Sequence, residues 1–529
     1  MGGDPRWDPE PAMTPLTRRL RADVCVVGGG FTGLWSALEL KRLAPDGDVV
    51  VVEQQFCGSG ASGRNGGWIN GWEDVLPNLT RLFGAQHALG LLELSRACVA
   101  RIAEVVADGG IDCDLAFGGG LVIATSEAQM RAMRETATAL AAAGKEELVG
   151  LLGREEALSV SGVPKAVGGF LLPKAGSVQP ALLVQGLRRL AIEMGVRVFE
   201  ASPMVNLDRG LPAIVETPAG SVVADKVILA GGSWLARLPE LRRTLFIIPA
   251  HIVATEPLKG RLDEIGWRCG RPFADGRTSV HYAQRTTDDR LVFGRGGGRL
   301  GFAGRIIPEH YHDGRETAEI VDDLRRLIPA LAAARMEWAW GGPVDRSQHG
   351  MPWVGTLGRE RNIHYGVGYC GNGIASTPII GRTLASIALG LDDDYTRSPL
   401  VSDPPTYLPV EPARYVGARA VRSAVNRCEN KEDAGLRPDP ISGLLRRALN
   451  LSMPKGIQVL PLAARLTASK GARDVVDDEH ADQECTEGAR SGSANVSPTG
   501  ERSSDPTYSR RERSSPGGGD GRQGRVDDS

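Results

Sequence analysis

The chain has 529 residues, more than one ordinary domain holds, so two or three units of roughly 100 to 200 residues are expected. Its 62 Lys+Arg against 64 Asp+Glu leave a formal net charge of -2, which excludes a whole-chain field able to hold nucleic acid or an anionic membrane. A hydrophobic content of 42% with 5% aromatic residues is that of a globular protein, and 68 glycines point to many turns and close backbone approaches. The cysteines form no CxxC pair or compact ligand cluster, so no metal site is expected and the thiols read as reduced, in a cytoplasm. The first twenty residues carry no signal-peptide apolar run, and no stretch of the chain is long and apolar enough to span a membrane.

In chain order, residues 1–20 are polar and read as an N-terminal arm. Asp23-Val24-Cys25-Val26-Val27 then predicts a buried parallel strand, followed by Gly28-Gly29-Gly30-Phe31-Thr32-Gly33 and a helix whose Leu34, Ala37 and Leu38 share a face. Pro45 and Gly47 end that helix before a second strand, Val49-Val50-Val51-Val52. Helical spacing recurs in 88–106, 128–143 and 179–194, strands are predicted at 196–199 and 222–230, and 245–335 alternates like antiparallel strands. A last α/β piece runs from Trp340 to a helix at about 378–390. The predicted organisation is an α/β, Rossmann-like domain assembled from 21–80, 166–235 and 336–404, and an α+β substrate domain with a mixed or antiparallel sheet from 81–165 and 236–335. A helical extension follows at 405–470, then a tail at 471–529, poor in core-forming residues and expected to be disordered.

A G-x-G-x-x-G match alone is weak, but its place between a strand and a helix strengthens it. Gly28 permits the tight turn, Gly30 lets the backbone approach a pyrophosphate, and Gly33 lets the helix pack close to the sheet, with Phe31 and Thr32 in the same loop expected to bind the cofactor. Glu53, twenty residues beyond Gly33, is placed to accept hydrogen bonds from an adenosine ribose, which argues against a 2′-phosphate. The fingerprint by itself does not choose between NAD and FAD. A second glycine-rich loop, 57–67, can carry backbone amides and the Arg64 guanidinium past the pyrophosphate towards a large ring system. Near the C-terminal end of the α/β part, Thr377-Pro378 reads as an N-cap and first-turn pair, so a helix is predicted to begin there, its amides directed where Gly371-Asn372-Gly373 turns.

Several of these segments together resemble the D-amino-acid oxidase-like (DAO) family of FAD-dependent oxidoreductases, in particular its gamma-glutamylputrescine oxidoreductase branch. The motifs are Asp23 to Gly33, Gly60 to Gly67 (GASGRNGG), Thr255-Glu256-Pro257-Leu258, His281-Tyr282 with Arg290 to Gly294, Trp340-Gly341-Gly342, and Gly368 to Gly373 (GYCGNG). The resemblance covers roughly residues 20 to 400. It implies FAD in a two-domain fold, with Gly28, Gly30 and Gly33 at the pyrophosphate and Glu53 at the ribose. Gly63, Arg64, Asn65 and Gly66 would lie beside the isoalloxazine, the Val205 backbone at the adenine, and Ala230-Gly231 in a second flavin-contacting turn.

The reaction it implies is oxidation of a C–N bond of an amine or amino acid by hydride transfer to flavin N5, leaving an imine that hydrolyses. Dioxygen or another acceptor would then take the electrons. Relatives of the sarcosine oxidase type attach FAD through a cysteine after the Trp-Gly segment; Gln348-His349-Gly350-Met351 has none, so the FAD is expected to be noncovalent. Substrate-side candidates are His281, Tyr282, Asp345 and His349, each of which also has an ordinary structural reading. Cys370 reads as a small packing residue rather than a redox thiol. Two other readings stand beside this one: an NAD-linked dehydrogenase using the first fingerprint, and a non-catalytic flavin scaffold whose tail recruits partners.

Overall fold

Two valine-rich runs organise the first sheet. The structure, a computed structural model, describes residues 15–267, 271–404 and 407–452, with side chains as far as 446. In it Arg19–Val27 and Val49–Val52 pair in parallel, and the second run is buried at all four positions, as a strand covered on both faces must be. The sheet order runs 353–357, 363–367, 221–229, 19–27, 49–52, 197–199, and a hairpin of Asn206–Asp208 and Ala213–Glu216 is added on Ser221–Leu229. The strands therefore come from three separated stretches of chain. The only antiparallel partner on the main path is the edge strand Trp353–Leu357.

The helix Phe31–Leu43 leaves the first strand directly. Its sequence suggests one apolar stripe, yet all ten residues from Phe31 to Leu40 are buried. The reason is a second layer: the helix Gly373–Ala388 crosses it so closely that a Cβ at Gly381 would stand 2.7 Å from the Trp35 Cβ and 2.9 Å from the Ser36 amide nitrogen. The Ser36 hydroxyl is satisfied within its own helix, donating to the Thr32 carbonyl at 2.8 Å.

The second sheet has eight strands in the order 336–347, 245–255, 291–295, 281–285, 273–275, 120–124, 168–172, 150–152. All neighbours are antiparallel except Phe273–Asp275 beside Gly120–Ala124. The two strands from 120–124 and 150–152 lie in a region whose composition announces helices. Gly120-Leu-Val-Ile-Ala is nonetheless wholly buried and completes the sheet, because a short apolar run takes its structure from its neighbours. The helix Gly314–Leu327 covers one face through Ile320, Leu324 and Leu327.

The extension forms the helices Ala413–Asp433 and Pro440–Ser452. The described residues 15–267, 271–404 and 407–452 fall in a single compact unit; the expected tail, 471–529, lies outside the described residues, as does most of the expected arm. No helix among the described residues is long and apolar enough to cross a membrane.

The helix Gly373–Ala388 starts earlier than Thr377-Pro378 predicts. It begins at Gly373 with Asn372 as N-cap, and Pro378 sits inside it. The proline removes the amide that would bond the Ile374 carbonyl, and the Thr377 hydroxyl donates to that carbonyl instead, at 3.1 Å. Thr377 thus supports the helix interior rather than capping its start.

Candidate functional site

One cavity of about 820 Å³ lies against the C-terminal ends of the strands Arg19–Val27 and Val49–Val52 and extends to the second sheet. The first glycine turn forms one end. Gly28 holds a positive φ of +114°, its amide donates to the Val52 carbonyl at 2.8 Å, and a Cβ there would stand 2.7 Å from the Ala230 carbonyl oxygen. Gly33 is not on the cavity wall; it is the contact on which the Gly28 carbonyl rests, which a Cβ would overlap. Gly28, Gly30, Phe31 and Thr32 line the cavity, and the helix they open has no side-chain cap. Phe31 donates its amide to the Ser62 hydroxyl at 2.9 Å, which ties this turn to the second glycine-rich loop.

Glu53 leaves the second valine strand with its carboxylate buried. One oxygen accepts from the Gly29 amide at 2.7 Å, the other from the Gln55 amide at 3.0 Å and the Ser59 hydroxyl at 3.3 Å. Burial pushes its pKa up and these donors oppose the rise. The oxygen that accepts from Gly29 keeps a second acceptor site for a ribose hydroxyl, whereas the other already accepts two bonds. In Glu53→Gln the side chain turns an NH2 towards a backbone amide, so one donor loses its partner. About 10- to 100-fold weaker FAD binding is expected, measured by flavin fluorescence on reconstituting the apoprotein.

The second loop brings Arg64, Asn65 and Gly66 to the cavity, while Gly63 is buried behind it, its amide on the Gly58 carbonyl at 3.1 Å. Arg64 is fixed three ways: its Nε donates to the Ser59 carbonyl at 2.8 Å, its carbonyl accepts from the Trp340 indole at 2.9 Å, and its guanidinium stands over the Tyr311 ring at 5.3 Å. Gly66 and Gly294 leave room for Tyr282, whose ring a Cβ at Gly66 would meet at 2.6 Å. Tyr282 lines the cavity, and burial raises its phenol pKa.

At the far wall, Ala230, Gly231 and Val205 line the cavity, and the Val205 amide is already bonded to the Glu216 carbonyl, so its carbonyl is what it can offer an adenine. Gly371, Asn372 and Gly373 line the cavity at the start of the helix Gly373–Ala388, which also lacks a side-chain cap. Two uncapped helix N-termini thus face one cavity, each a site that favours negative charge. With the crowded Gly28 turn and the Glu53 acceptor, they fit FAD: a pyrophosphate at the first, and the pyrimidine edge of a flavin at the second.

Two of the expected substrate-side residues are placed elsewhere. His281 does not line the cavity. On its strand it points away from Tyr282 into a buried network, with Nδ1 2.6 Å from Asp275 and Nε2 3.1 Å from Asp323. His349 is also off the wall: its Nδ1 accepts from the Met351 amide at 3.1 Å, and burial lowers its pKa to about 4. It shapes the turn that puts Gly350 and Met351 on the cavity. Asp345 does line the cavity, its carboxylate accepting from the Gly368 amide at 2.5 Å.

The His281 network makes a pH prediction. Burial lowers the imidazole pKa, but Asp275 and Asp323 more than offset it and the net shift is upward from 6.5. A raised folded-state pKa stabilises the fold fully below the unfolded value, and the gain disappears as pH rises through the folded value. The urea midpoint is therefore expected to fall across that rise, and His281→Asn to flatten this part of the profile.

Sequence reasoning passed over Arg346, between the two singled-out residues Asp345 and His349. It lines the cavity, its Nε is buried without a hydrogen-bond partner, and among the described residues no carboxylate forms an ion pair with it. A lone cation in a strand ending at a glycine turn was the available signal.

The family model for FAD dependent oxidoreductases (DAO) matches residues 23–387. The gamma-glutamylputrescine oxidoreductase of Escherichia coli is 29% identical over 384 residues, 71% of this chain and 85% of that protein. A probable oxidoreductase, OrdL, of Haemophilus influenzae is 28% identical over 390 residues, 72% of this chain and 85% of its own. Among solved structures, the glycine oxidase of Geobacillus kaustophilus superposes with a TM-score of 0.59 at 21% identity, over 72% of this chain and 98% of that one.

Proposed function

This chain belongs to the DAO family of FAD-dependent oxidoreductases, and from that premise we propose that it oxidises the C–N bond of an amine or amino acid that also carries a carboxylate. Its cofactor is FAD, held noncovalently. The observation that carries the substrate reading is Arg346. A buried guanidinium nitrogen without a partner is costly, and a substrate carboxylate would supply what it lacks. The names of the relatives, gamma-glutamylputrescine oxidoreductase and glycine oxidase, agree with a substrate of this kind.

Bound FAD supplies the two-electron acceptor for a hydride from the substrate carbon, and the imine so formed is hydrolysed by water. The residues of the chain hold the substrate and exclude solvent. Tyr282, wedged between Gly66 and Gly294, gives the cavity a rigid wall with a protonated hydroxyl. Tyr369, whose hydroxyl accepts from the Thr32 hydroxyl at 2.6 Å, ties the turn before the helix Gly373–Ala388 to the first helix and keeps both N-termini on the same cavity. No imidazole lines the cavity among the described residues, so amine deprotonation is assigned to solvent before binding. No disulfide joins the six described cysteines, which suits the reducing cytoplasm in which we place the protein.

The test is an anaerobic spectral titration of the purified yellow protein with carboxylate-bearing and carboxylate-free amines, followed by air. Bleaching of the flavin band by carboxylate-bearing amines is expected, and the speed of its return separates dioxygen from another acceptor. Arg346→Leu is expected to raise KM for those substrates about 10- to 100-fold. If no amine bleaches the flavin, the reading fails.

A further inference from the structure

A second unpaired charge, of opposite sign, lies in the same cavity. Asp74 stands in the single turn Glu73–Val75 that leads into the helix Leu76–Asp108, and its side chain lines the cavity with Trp68, Trp72 and Met351. Its hydrogen bond comes from the Asn70 amide group, Nδ2 to Oδ1 at 3.2 Å. Among the described residues no Lys, Arg or His forms an ion pair with it, and its charged neighbour is another acid, Glu73, which does not line the cavity. Removal from water and the Glu73 carboxylate push its pKa up to about 7. A carboxylate on the cavity, supported by hydrogen bonds alone and opposed by an adjacent acid, is a site short of a cation.

We propose that Asp74, oriented by Asn70, is the recognition point for an ammonium group of the substrate, and that this ammonium is a second nitrogen, distinct from the one oxidised. The distinction follows from proton affinity. An alkylammonium of ordinary pKa, about 10.4, keeps its proton against a carboxylate near neutrality, and ion pairing strengthens its hold. A nitrogen so held has no free lone pair to support hydride loss from its carbon, so the reacting nitrogen must lie elsewhere in the cavity. The substrate class is thereby narrowed to compounds with two nitrogens and a carboxylate: an amine or amino acid bearing a further ammonium group.

This inference rests on the proposed C–N oxidation, and the experiment keeps the two apart. The FAD-loaded full-length protein is titrated anaerobically with ornithine and with norvaline, which share a carboxylate and an α-amine and differ in the terminal ammonium. Dissociation constants are taken from the shift of the oxidised flavin spectrum, and reduction is followed afterwards on the same samples. Wild type is expected to bind ornithine about 10- to 100-fold more tightly, as a charge-assisted contact does. In Asp74→Asn the ratio is expected to collapse towards one, whereas Asp74→Glu, which keeps the charge, retains most of it; unchanged FAD content in both variants shows that they fold. An equal affinity for the two compounds in wild type, binding of neither, or a ratio untouched by Asp74→Asn overturns the ammonium site. Absence of flavin reduction by any amine, with the ornithine preference intact, overturns the oxidation and leaves the site standing.

Discussion

Gly28→Val is expected to yield a protein that purifies without its flavin colour and binds added FAD more than about a hundredfold more weakly. A side chain at φ +114° is strained by about 1 to 3 kcal/mol before any neighbour is considered. The neighbours then add to it. The Cβ would stand 2.7 Å from the Ala230 carbonyl oxygen, and neither backbone is free to move away. The Gly28 amide is bonded to the Val52 carbonyl, the Ala230 amide to the Val27 carbonyl at 2.8 Å, and Gly33 presses on the Gly28 carbonyl from the other side. Relief is possible only by displacing the turn that presents the first helix to the pyrophosphate. The ratio of flavin to protein absorbance on purification, and a fluorescence titration of the apoprotein, measure the effect. Wild-type flavin content in Gly28→Val would mean that the phosphates lie elsewhere.

The second large effect is on stability. Arg277 is 6% exposed and binds the helix Ala413–Asp433 through Glu429 at 3.3 Å, Asp433 at 2.8 Å and the Asn430 side chain at 2.9 Å. Thr278, the next residue, donates its amide to Glu429 at 2.5 Å and lines the cavity. The helix therefore backs the cavity wall through buried charge, although it lies beyond residues 23–387 matched by the family. Arg277→Leu leaves the Glu429 carboxylate buried without its cation, and such a loss costs about 3 to 5 kcal/mol. A matching drop in the urea unfolding free energy is expected. Adding Glu429→Leu to it should restore part of the loss, because removing both partners costs less than stranding one. Additive losses in that double mutant would show that the pair does not act as a unit.

The legible part of this protein is the part whose physics is local. The strand, glycine turn and helix of 23–33 and the acid at Glu53 lie within about thirty residues, the span of one βαβ unit. Each glycine answers a steric demand made by its near neighbours or by the strand alongside. The second glycine loop differs, since its glycines answer distant segments: a Cβ at Gly66 would meet the Tyr282 ring at 2.6 Å and one at Gly67 would overlap the Val178 carbonyl oxygen. The helix after the Gly371 turn starts five residues before the point that Thr377-Pro378 suggests, since that pair is equally suited to starting a helix and to sitting inside one where the threonine hydroxyl serves the orphaned carbonyl.

The substrate side was not legible in the same way. His281 and Tyr282 are adjacent on one strand, so one of them faces the cavity and the other its opposite side; alternation states this but does not say which. The answer depends on which face of the second sheet meets the first, and it places Tyr282 on the cavity and His281 between Asp275 and Asp323. Glu73 and Asp74 pose the same question in a single turn, where Asp74 lines the cavity and Glu73 does not. By itself the sequence determined the cofactor fold and the family, because glycine turns, valine strands and an acid at fixed spacing act through neighbours in the chain. Only the tertiary structure decided which charges stand unpaired in the cavity, because pairing is set by segments more than a hundred residues apart that meet only when both sheets are assembled.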